Sequence, residues 1–441
     1  MVMARLSTGV LGRRIAREGA WVVLGQALSA IAALVSIRIM TELLAPEEFG
    51  RLTLLVGVAA LALGLTATPK LQALIRYYPD AARTGRIESL RKVGIQLIMP
   101  LLTLACVILA AFWLLAGTWI GSAWYMGLLV AALLYIDCLR SLELSLFNAA
   151  RRQRAASVIY VADAWSRPLM AIICVLIFGS SAEAALAGYI AGSAAVVLAM
   201  HLWMRLEGAS GPHAPLDADE DFNKKLALSI RRYALPLAPL AIFGWLSGVG
   251  DRYIIAGLLS LQDAGLYAAA YGLASRPFLM LSGVVELTMR PVLQNAVAAG
   301  DRKLVTRTKR IWLLLTGAGA AFGVICFILL SDWVGHLLLA EQYRLATGLM
   351  PWIAFGYALY NIATVYTRFC YAFDDTKAVL LLAASGGLLG VAVMVPAIFL
   401  WGLTGAALSV SAGFGIQLLF ASTLARRAVA GFSSPKQVFK E

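Results

Sequence analysis

Apolar runs of about 20 residues, the length that crosses a bilayer, recur along this 441-residue chain with only short polar breaks. A segment in lipid must satisfy its own backbone N–H and C=O groups, which leaves helices or a closed barrel, and runs this long predict helices. Twelve spans can be read: 19–41, 52–75, 93–115, 124–147, 158–178, 184–204, 233–256, 264–289, 311–330, 349–372, 379–400 and 404–424. Hydrophobic residues are 61% and charged residues 14%, against roughly half and a quarter in a soluble domain. A soluble helical protein could not bury this many apolar helices in so short a chain. The fold class is therefore an all-α polytopic membrane protein with about twelve transmembrane helices.

The basic residues orient it. If the spans alternate, the loops on the starting side hold 28 of the 37 Lys and Arg, seven lie inside spans, and the opposite loops hold only Arg51 and Arg344. Such asymmetry places the basic loops and both termini in the cytoplasm. It also explains the net charge of +13, so nucleic acid is not the expected partner, while contact of these loops with anionic membrane lipids is. The start, MVMARLSTGVLGRRIAREGAWVV, resembles a signal peptide's basic region. Its apolar run is longer, however, and leads into a second span. An uncleaved first helix is expected, with Arg13, Arg14 and Arg17 on a short interfacial helix at the inner headgroups. Cys106, Cys138, Cys174, Cys326 and Cys370 all lie in apolar segments with no Cys-x-x-Cys pair, and His201, His213 and His336 are scattered. No disulfide frame, metal site or cofactor is expected.

The chain repeats itself. LLAPEEFGRL (43–52) is echoed by LLSLQDAGLY (258–267), Gly50 and Gly265 being 215 residues apart (265 − 50). EAALAGYIAG (183–192) is echoed by GAALSVSAG (405–413), with Ala184 and Ala406 222 apart (406 − 184). Both echoes run in the same direction through the membrane, so the repeats are parallel. The longest polar stretch, 205–232 with LDADEDFNKK at its centre, separates six spans from six. The organisation read is an amino-terminal six-helix bundle (1–204), a cytoplasmic linker (205–232), a carboxyl-terminal six-helix bundle (233–424) and a cytoplasmic tail (425–441).

PEEFG after span one, and GDRYIIAGLLSLQDAGLYAAAYGLA (250–274) across spans seven and eight, resemble the Wzx-type polysaccharide and O-antigen flippases. These form the polysaccharide-transport branch of the multidrug/oligosaccharidyl-lipid/polysaccharide exporter superfamily. Asp251-Arg252-Tyr253-Ile254-Ile255 followed by Gly265-Leu266-Tyr267 is the most specific part, and the resemblance covers most of the chain. Peptidoglycan-precursor flippases of that superfamily usually have fourteen spans, for which this chain is too short. The resemblance implies a V-shaped pair of six-helix bundles working by alternating access in a bacterial inner membrane. It implies a cargo of undecaprenyl-pyrophosphate-linked oligosaccharide moved from the cytoplasmic to the periplasmic leaflet. It further implies H+ or Na+ as coupling ion, and other polysaccharide-assembly membrane proteins as possible partners.

A phosphate headgroup crossing hydrocarbon needs a wet, cationic cavity, and Arg suits it because it binds phosphate bidentately and keeps its proton. Charges inside spans are functional hypotheses by default. The cations are Arg38, Lys70, Arg140, Arg167, Arg252, Arg276 and Arg368, and the acids are Asp137, Glu143, Asp163, Asp251 and Glu286. Arg38, Lys70 and Arg368 lie near span ends, where each either snorkels or faces the cavity. Arg276 lies roughly 18 Å from the outer end of span eight at about 1.5 Å per residue, too deep to snorkel, and Pro277 predicts a kink beside it. Arg252 and Asp251 are adjacent and point in different directions. One faces the cavity and the other pairs across a helix contact, and the sequence does not say which. In spans four and five, Asp137, Arg140 and Glu143 share a face, as do Asp163 and Arg167. Matching depths allow the pairs Arg140–Asp163 and Asp137–Arg167 and leave Glu143 unmatched. That set is either a structural clamp or an ion relay, with Asp163, Asp137 and Glu286 as the proton-exchanging candidates.

Two rival functions are testable on sequence. A lipid-linked glycan polymerase or ligase needs a large outer loop with catalytic groups; the largest, 331–348, offers only Asp332, His336, Glu341 and Arg344. A multidrug or cation exporter needs an acidic cavity, whereas with spans four and five set aside the intramembrane charges are five basic to two acidic. No Gly-rich phosphate loop with Lys appears, so ATP is not the direct energy source. A secondary transporter, not an enzyme, is expected.

Overall fold

The computed structural model describes residues 2–116, 123–206, 220–373 and 376–430, and is helical throughout, with no strand among them. The helices, in chain order, are α1 (Val2–Leu43), α2 (Pro46–Thr66), α3 (Thr68–Arg83), α4 (Ile87–Ala116), α5 (Met126–Ala149), α6 (Gln153–Phe178) and α7 (Ala182–Leu206). They continue with α8 (Glu220–Ala234), α9 (Ala238–Gly248), α10 (Gly250–Leu258), α11 (Leu261–Ala298), α12 (Arg302–Leu338), α13 (Met350–Ala372) and α14 (Thr376–Ala430). The acidic run at 217–219 and the tail beyond Ala430, read above as parts of the linker and the cytoplasmic tail, lie outside the described residues.

Among the described residues nine helices are long and apolar enough to cross a membrane. Two further spans read from the sequence are helices with polar interiors. α5 carries Asp137, Arg140 and Glu143, and α13 carries Asn361 and four tyrosines. The last apolar helix, Leu380–Arg427, is two spans, because Gly402 interrupts α14 with φ +56° and folds it back. Together these account for the twelve crossings, and the chain is a multi-pass membrane protein.

Contacts divide the chain into two units, Met1–Leu44 with Arg51–Trp245, and Ala45–Gly50 with Leu246–Glu441. In the first unit α1 is unbroken from Val2, so the basic amino-terminal residues continue the helix of span one instead of forming a separate interfacial helix. Span two breaks between α2 and α3, where Pro69 cannot donate a backbone hydrogen bond. The side chains repair the break. Lys70 Nζ donates to the Thr66 carbonyl at 2.5 Å, Thr66 Oγ1 to the Ala62 carbonyl at 2.7 Å, and Thr68 Oγ1 to the Leu63 carbonyl at 3.3 Å. α7 lies directly on α6: a β-carbon at Gly188 would sit 2.3 Å from Ala171 Cα, and one at Gly192 2.6 Å from the Ser166 carbonyl. Glycines four apart give helices in lipid this approach. α8, within the stretch read as a linker, packs on α3 and α4, with Arg86 over the Phe222 ring and Arg76 over Tyr233.

In the second unit the two echoed turns meet. A β-carbon on Gly265 would stand 1.8 Å from the Pro46 carbonyl oxygen, and one on Gly50 2.1 Å from that of Leu261. The repeated glycine thus serves backbone-to-backbone contact. Ser260 caps α11 by accepting from the Asp263 N–H at 3.0 Å. α11 continues through Pro277 and Pro291 without interruption, so the kink expected at Pro277 does not break the helix. α13 packs along it there, Asn361 donating to the Phe278 carbonyl at 2.9 Å and Tyr357 to the Tyr271 hydroxyl at 2.7 Å. The interruption falls instead in span seven, whose helix is divided between α9 and α10 at Val249 (φ −143°, ψ −21°).

The folded-back arms of α14 approach along small residues, with Gly413 over Gly390 at 3.1 Å and Gly405 over the Ala397 carbonyl at 1.9 Å, measured from ideal β-carbons. The α6–α7 connection also turns at a positive-φ glycine, Gly179. Gly402 follows Gly179 by 223 residues (402 − 179), within one residue of the 222 that separates the second sequence echo.

Candidate functional site

The charges inside the spans fall into two groups. The first is locked. Arg140 on α5 reaches Asp163 on α6 at 2.7 Å and Asp137 on its own helix at 3.3 Å. Arg167 on α6 bonds Asp137 across the helix contact and Asp163 at 3.2 Å. Ser193 on α7 adds a hydroxyl to Asp163 at 3.3 Å. Two cations, two carboxylates and a hydroxyl form a closed network with side chains only 12–18% exposed. Glu143, which the sequence left unmatched, pairs with Arg91 of α4. Arg91 belongs to a basic loop by sequence, but α4 begins at Ile87 and carries it toward the buried carboxylate.

Three more cations are occupied. Arg38 pairs with Glu42 at 2.5 Å, and Arg368 pairs with Glu286 at 2.9 Å while Arg290 adds a longer contact at 3.4 Å. Lys70 is engaged with the Thr66 carbonyl at the α2–α3 break. Glu286 is therefore held between two arginines, which removes it from the open carboxylates.

The second group is open and lies in the second unit. Asp251 and Arg252 sit in the first turn of α10, immediately after the break in span seven. Asp251 accepts the Arg252 backbone N–H at 2.8 Å and the Tyr267 hydroxyl at 2.8 Å. It makes no ion pair among the described residues. The Arg252 guanidinium instead lies over the Tyr271 ring, 5.3 Å from its centroid, with Nε buried and unpartnered. Tyr267, Tyr271 and Tyr357 pack in sequence beside both charges, each ring centroid 5.5 Å from the next, the first pair tilted by 39° and the second edge to face at 78°. Arg276, two turns along α11 from Tyr267, is exposed and has neither hydrogen bond nor ion pair among the described residues. It is within electrostatic range of Arg252 and Tyr357. A cavity of about 40 Å³ borders the cluster, lined by Ser247, Asp251, Tyr271, Gly390, Ser409 and Gly413. A water needs about 10–15 Å³ by this kind of measure, so the cavity accommodates one to three waters or a monovalent cation.

Neither Asp251 nor Arg252 makes a salt bridge across a helix contact among the described residues, unlike the pairing expected for one of them. The carboxylate lines the cavity and the guanidinium rests on an aromatic face. The tyrosines were missed, although Tyr267 and Tyr271 stand four apart on a span that has no need of polar aromatics. No group of His, Cys, Asp and Glu able to hold a metal ion is found among the described residues.

The fold is similar to those of solved MOP superfamily transporters. An inward-facing multidrug resistance MATE transporter of that superfamily matches with TM-score 0.70 at 12% identity, over 92% of this chain and 95% of its own. Lipid II flippase MurJ, inward closed, matches with TM-score 0.70 at 13% identity, over 94% and 89%. A MOP superfamily transporter from Pyrococcus furiosus matches with TM-score 0.63 at 14% identity, over 95% and 96%. No curated protein matches significantly. Residues 15–297 match the model of the family described as polysaccharide biosynthesis protein, and the chain belongs to that family.

Proposed function

We propose that this protein is a flippase that moves undecaprenyl-pyrophosphate-linked oligosaccharide repeat units from the cytoplasmic to the periplasmic leaflet during surface polysaccharide assembly. The observation that carries the reading is Arg276, deep in span eight with no carboxylate partner among the described residues, together with Arg252 nearer the outer end of span seven, whose guanidinium rests on the Tyr271 ring and makes no ion pair there. A cation held at that depth without a carboxylate is expensive unless it faces water or an anion that comes and goes. Pyrophosphate is such an anion, and guanidinium groups bind it with paired hydrogen bonds. Span seven is interrupted beside Arg252, and transporters place substrate sites at such discontinuous helices.

Asp251 is the group we assign to ion coupling. It is a carboxylate without a cation partner among the described residues, at a cavity of water or monovalent-ion size, on the same helical turn as Arg252. Binding H+ or Na+ there would change the charge next to the headgroup arginine, which links the ion to the cargo. In this reading Arg38, Lys70 and Arg368, already engaged, contribute at most to the periphery of the path, and the Asp137–Arg140–Asp163–Arg167 network is a clamp. A cation exporter would need the opposite polarity at Arg276. The same reading places the protein in the bacterial inner membrane with both termini in the cytoplasm. Its 205–232 linker would join two six-span halves, and other polysaccharide-assembly membrane proteins would receive the cargo. Reconstitution in liposomes with a fluorescent lipid-linked oligosaccharide tests it. Headgroup reduction by an impermeant quencher should show leaflet exchange with the protein and not without, and Arg276→Ala should abolish it while inserting normally. Equal exchange with and without protein rejects the reading.

A further inference from the structure

The charged site leaves a second surface feature unused. Between α1 and α6 runs a groove of about 250 Å³ walled by Trp21, Leu24, Leu28, Val158 and Val161. The helices touch at its floor, where a β-carbon on Gly25 would come within 2.9 Å of Ser157 Cβ. Its lips are half exposed, Leu24 at 50% and Val158 at 57%. At one end Arg154, one turn before Val158 on the same face of α6, holds its guanidinium 5.4 Å from the centroid of the Trp21 ring. Arg154 is exposed and has no ion pair among the described residues.

An apolar slot ending in an available cation fits an amphiphile with one phosphate-bearing end. Two helices in contact leave room for a single hydrocarbon chain, which favours a one-chain lipid over a two-chain phospholipid. The cation lies on the side of the basic loops, from which the proposed cargo starts. We propose that the α1–α6 groove holds the polyprenyl tail of the lipid-linked cargo, with Arg154 drawing its phosphate to the groove mouth. The proposal rests on the flippase reading for the identity of that lipid.

The test places a photoreactive amino acid at Val158 in the full chain, reconstituted with radiolabelled undecaprenyl phosphate in one arm and labelled phosphatidylglycerol at the same mole fraction in the other. A photoreactive residue at Leu314 of α12, 61% exposed, reports general lipid contact. Labelling by the polyprenyl lipid should exceed both the phosphatidylglycerol arm and the Leu314 position. It should fall by roughly tenfold in Arg154→Gln, the value of one charge-assisted contact, recover in Arg154→Lys, and fall in Leu28→Trp, which fills the groove. Equal labelling at the two positions, equal labelling by the two lipids, or indifference to Arg154→Gln would overturn it. Headgroup exchange measured in the same liposomes separates the two ideas. Labelling without exchange removes the flippase reading and leaves a polyprenyl groove, whereas exchange without specific labelling removes the groove alone.

Discussion

Replacing Asp163 by Asn should destabilise the protein by about 2–4 kcal/mol without touching the transport chemistry. Asp163 accepts from Arg140 at 2.7 Å, Arg167 at 3.2 Å and Ser193 at 3.3 Å. At roughly 0.6 kcal/mol for an average polar contact inside a membrane, three contacts give a floor near 2 kcal/mol. Breaking a buried ion pair by removing one partner costs about 3–5 kcal/mol in soluble proteins. With side chains only 12–18% exposed, little of that is screened. At about 2–4 °C per kcal/mol for a unit of this size, the thermal midpoint in detergent should fall by about 4–16 °C, readable by fluorescence-detected size exclusion after heating. The double variant Arg140→Gln/Asp163→Asn leaves Arg167 and Asp137 as one neutral pair and should recover more than half of the loss. The reasoning is refuted if Asp163→Asn keeps the wild-type midpoint and loses transport, because the network would then be an ion relay instead of a clamp.

Other perturbations discriminate at other places. Gly265→Ala drives a β-carbon to 1.8 Å from the Pro46 carbonyl oxygen; two backbones cannot separate without parting the turn, so monodisperse protein should be lost. Gly85→Ala, with φ +69° but open space around it, should cost only about 1–2 kcal/mol and keep expression. Asp251→Asn should leave headgroup exchange measurable and remove its dependence on an imposed H+ or Na+ gradient, and an unchanged gradient dependence would reassign the coupling ion. Glu286→Gln should leave transport intact with a small fall in midpoint, because Arg368 is 31% exposed and solvent screens part of the lost pair.

Periodicity and composition made the membrane class and the twelve crossings legible, because hydrocarbon permits so few solutions, while the family was legible only through the resemblance carried by PEEFG and residues 250–274. The Arg140–Asp163 and Asp137–Arg167 pairings could be read as possibilities from spacing, since antiparallel neighbours joined by a short loop must match in depth. Glu143 could not be paired that way, because Arg91 comes from a helix distant in sequence whose start is hidden by its polar flank. The break at Val249 is marked only by the flanking Gly248 and Gly250, a weaker signal than a proline, while the conspicuous Pro277 sits in a helix that packing with α13 keeps whole. Depth set Arg276 apart from Arg38, Lys70 and Arg368 in the sequence, but which cations are paired could not be read, because that depends on where a carboxylate happens to stand. The tyrosines beside Asp251 were concealed by their apolar rings.

The turn at Gly402 bears on how the chain reaches the membrane. Phe399, Leu400 and Trp401 beside it are all strongly exposed and apolar, and the arms touch again by Gly405. With no polar loop to carry across hydrocarbon, the last two helices can leave the translocon together as a preformed hairpin, the second following the first without a separate stop-transfer decision. Ribosome-bound chains arrested soon after this hairpin emerges should already protect both arms from aqueous cysteine reagents, whereas chains arrested before Gly402 should protect neither fully.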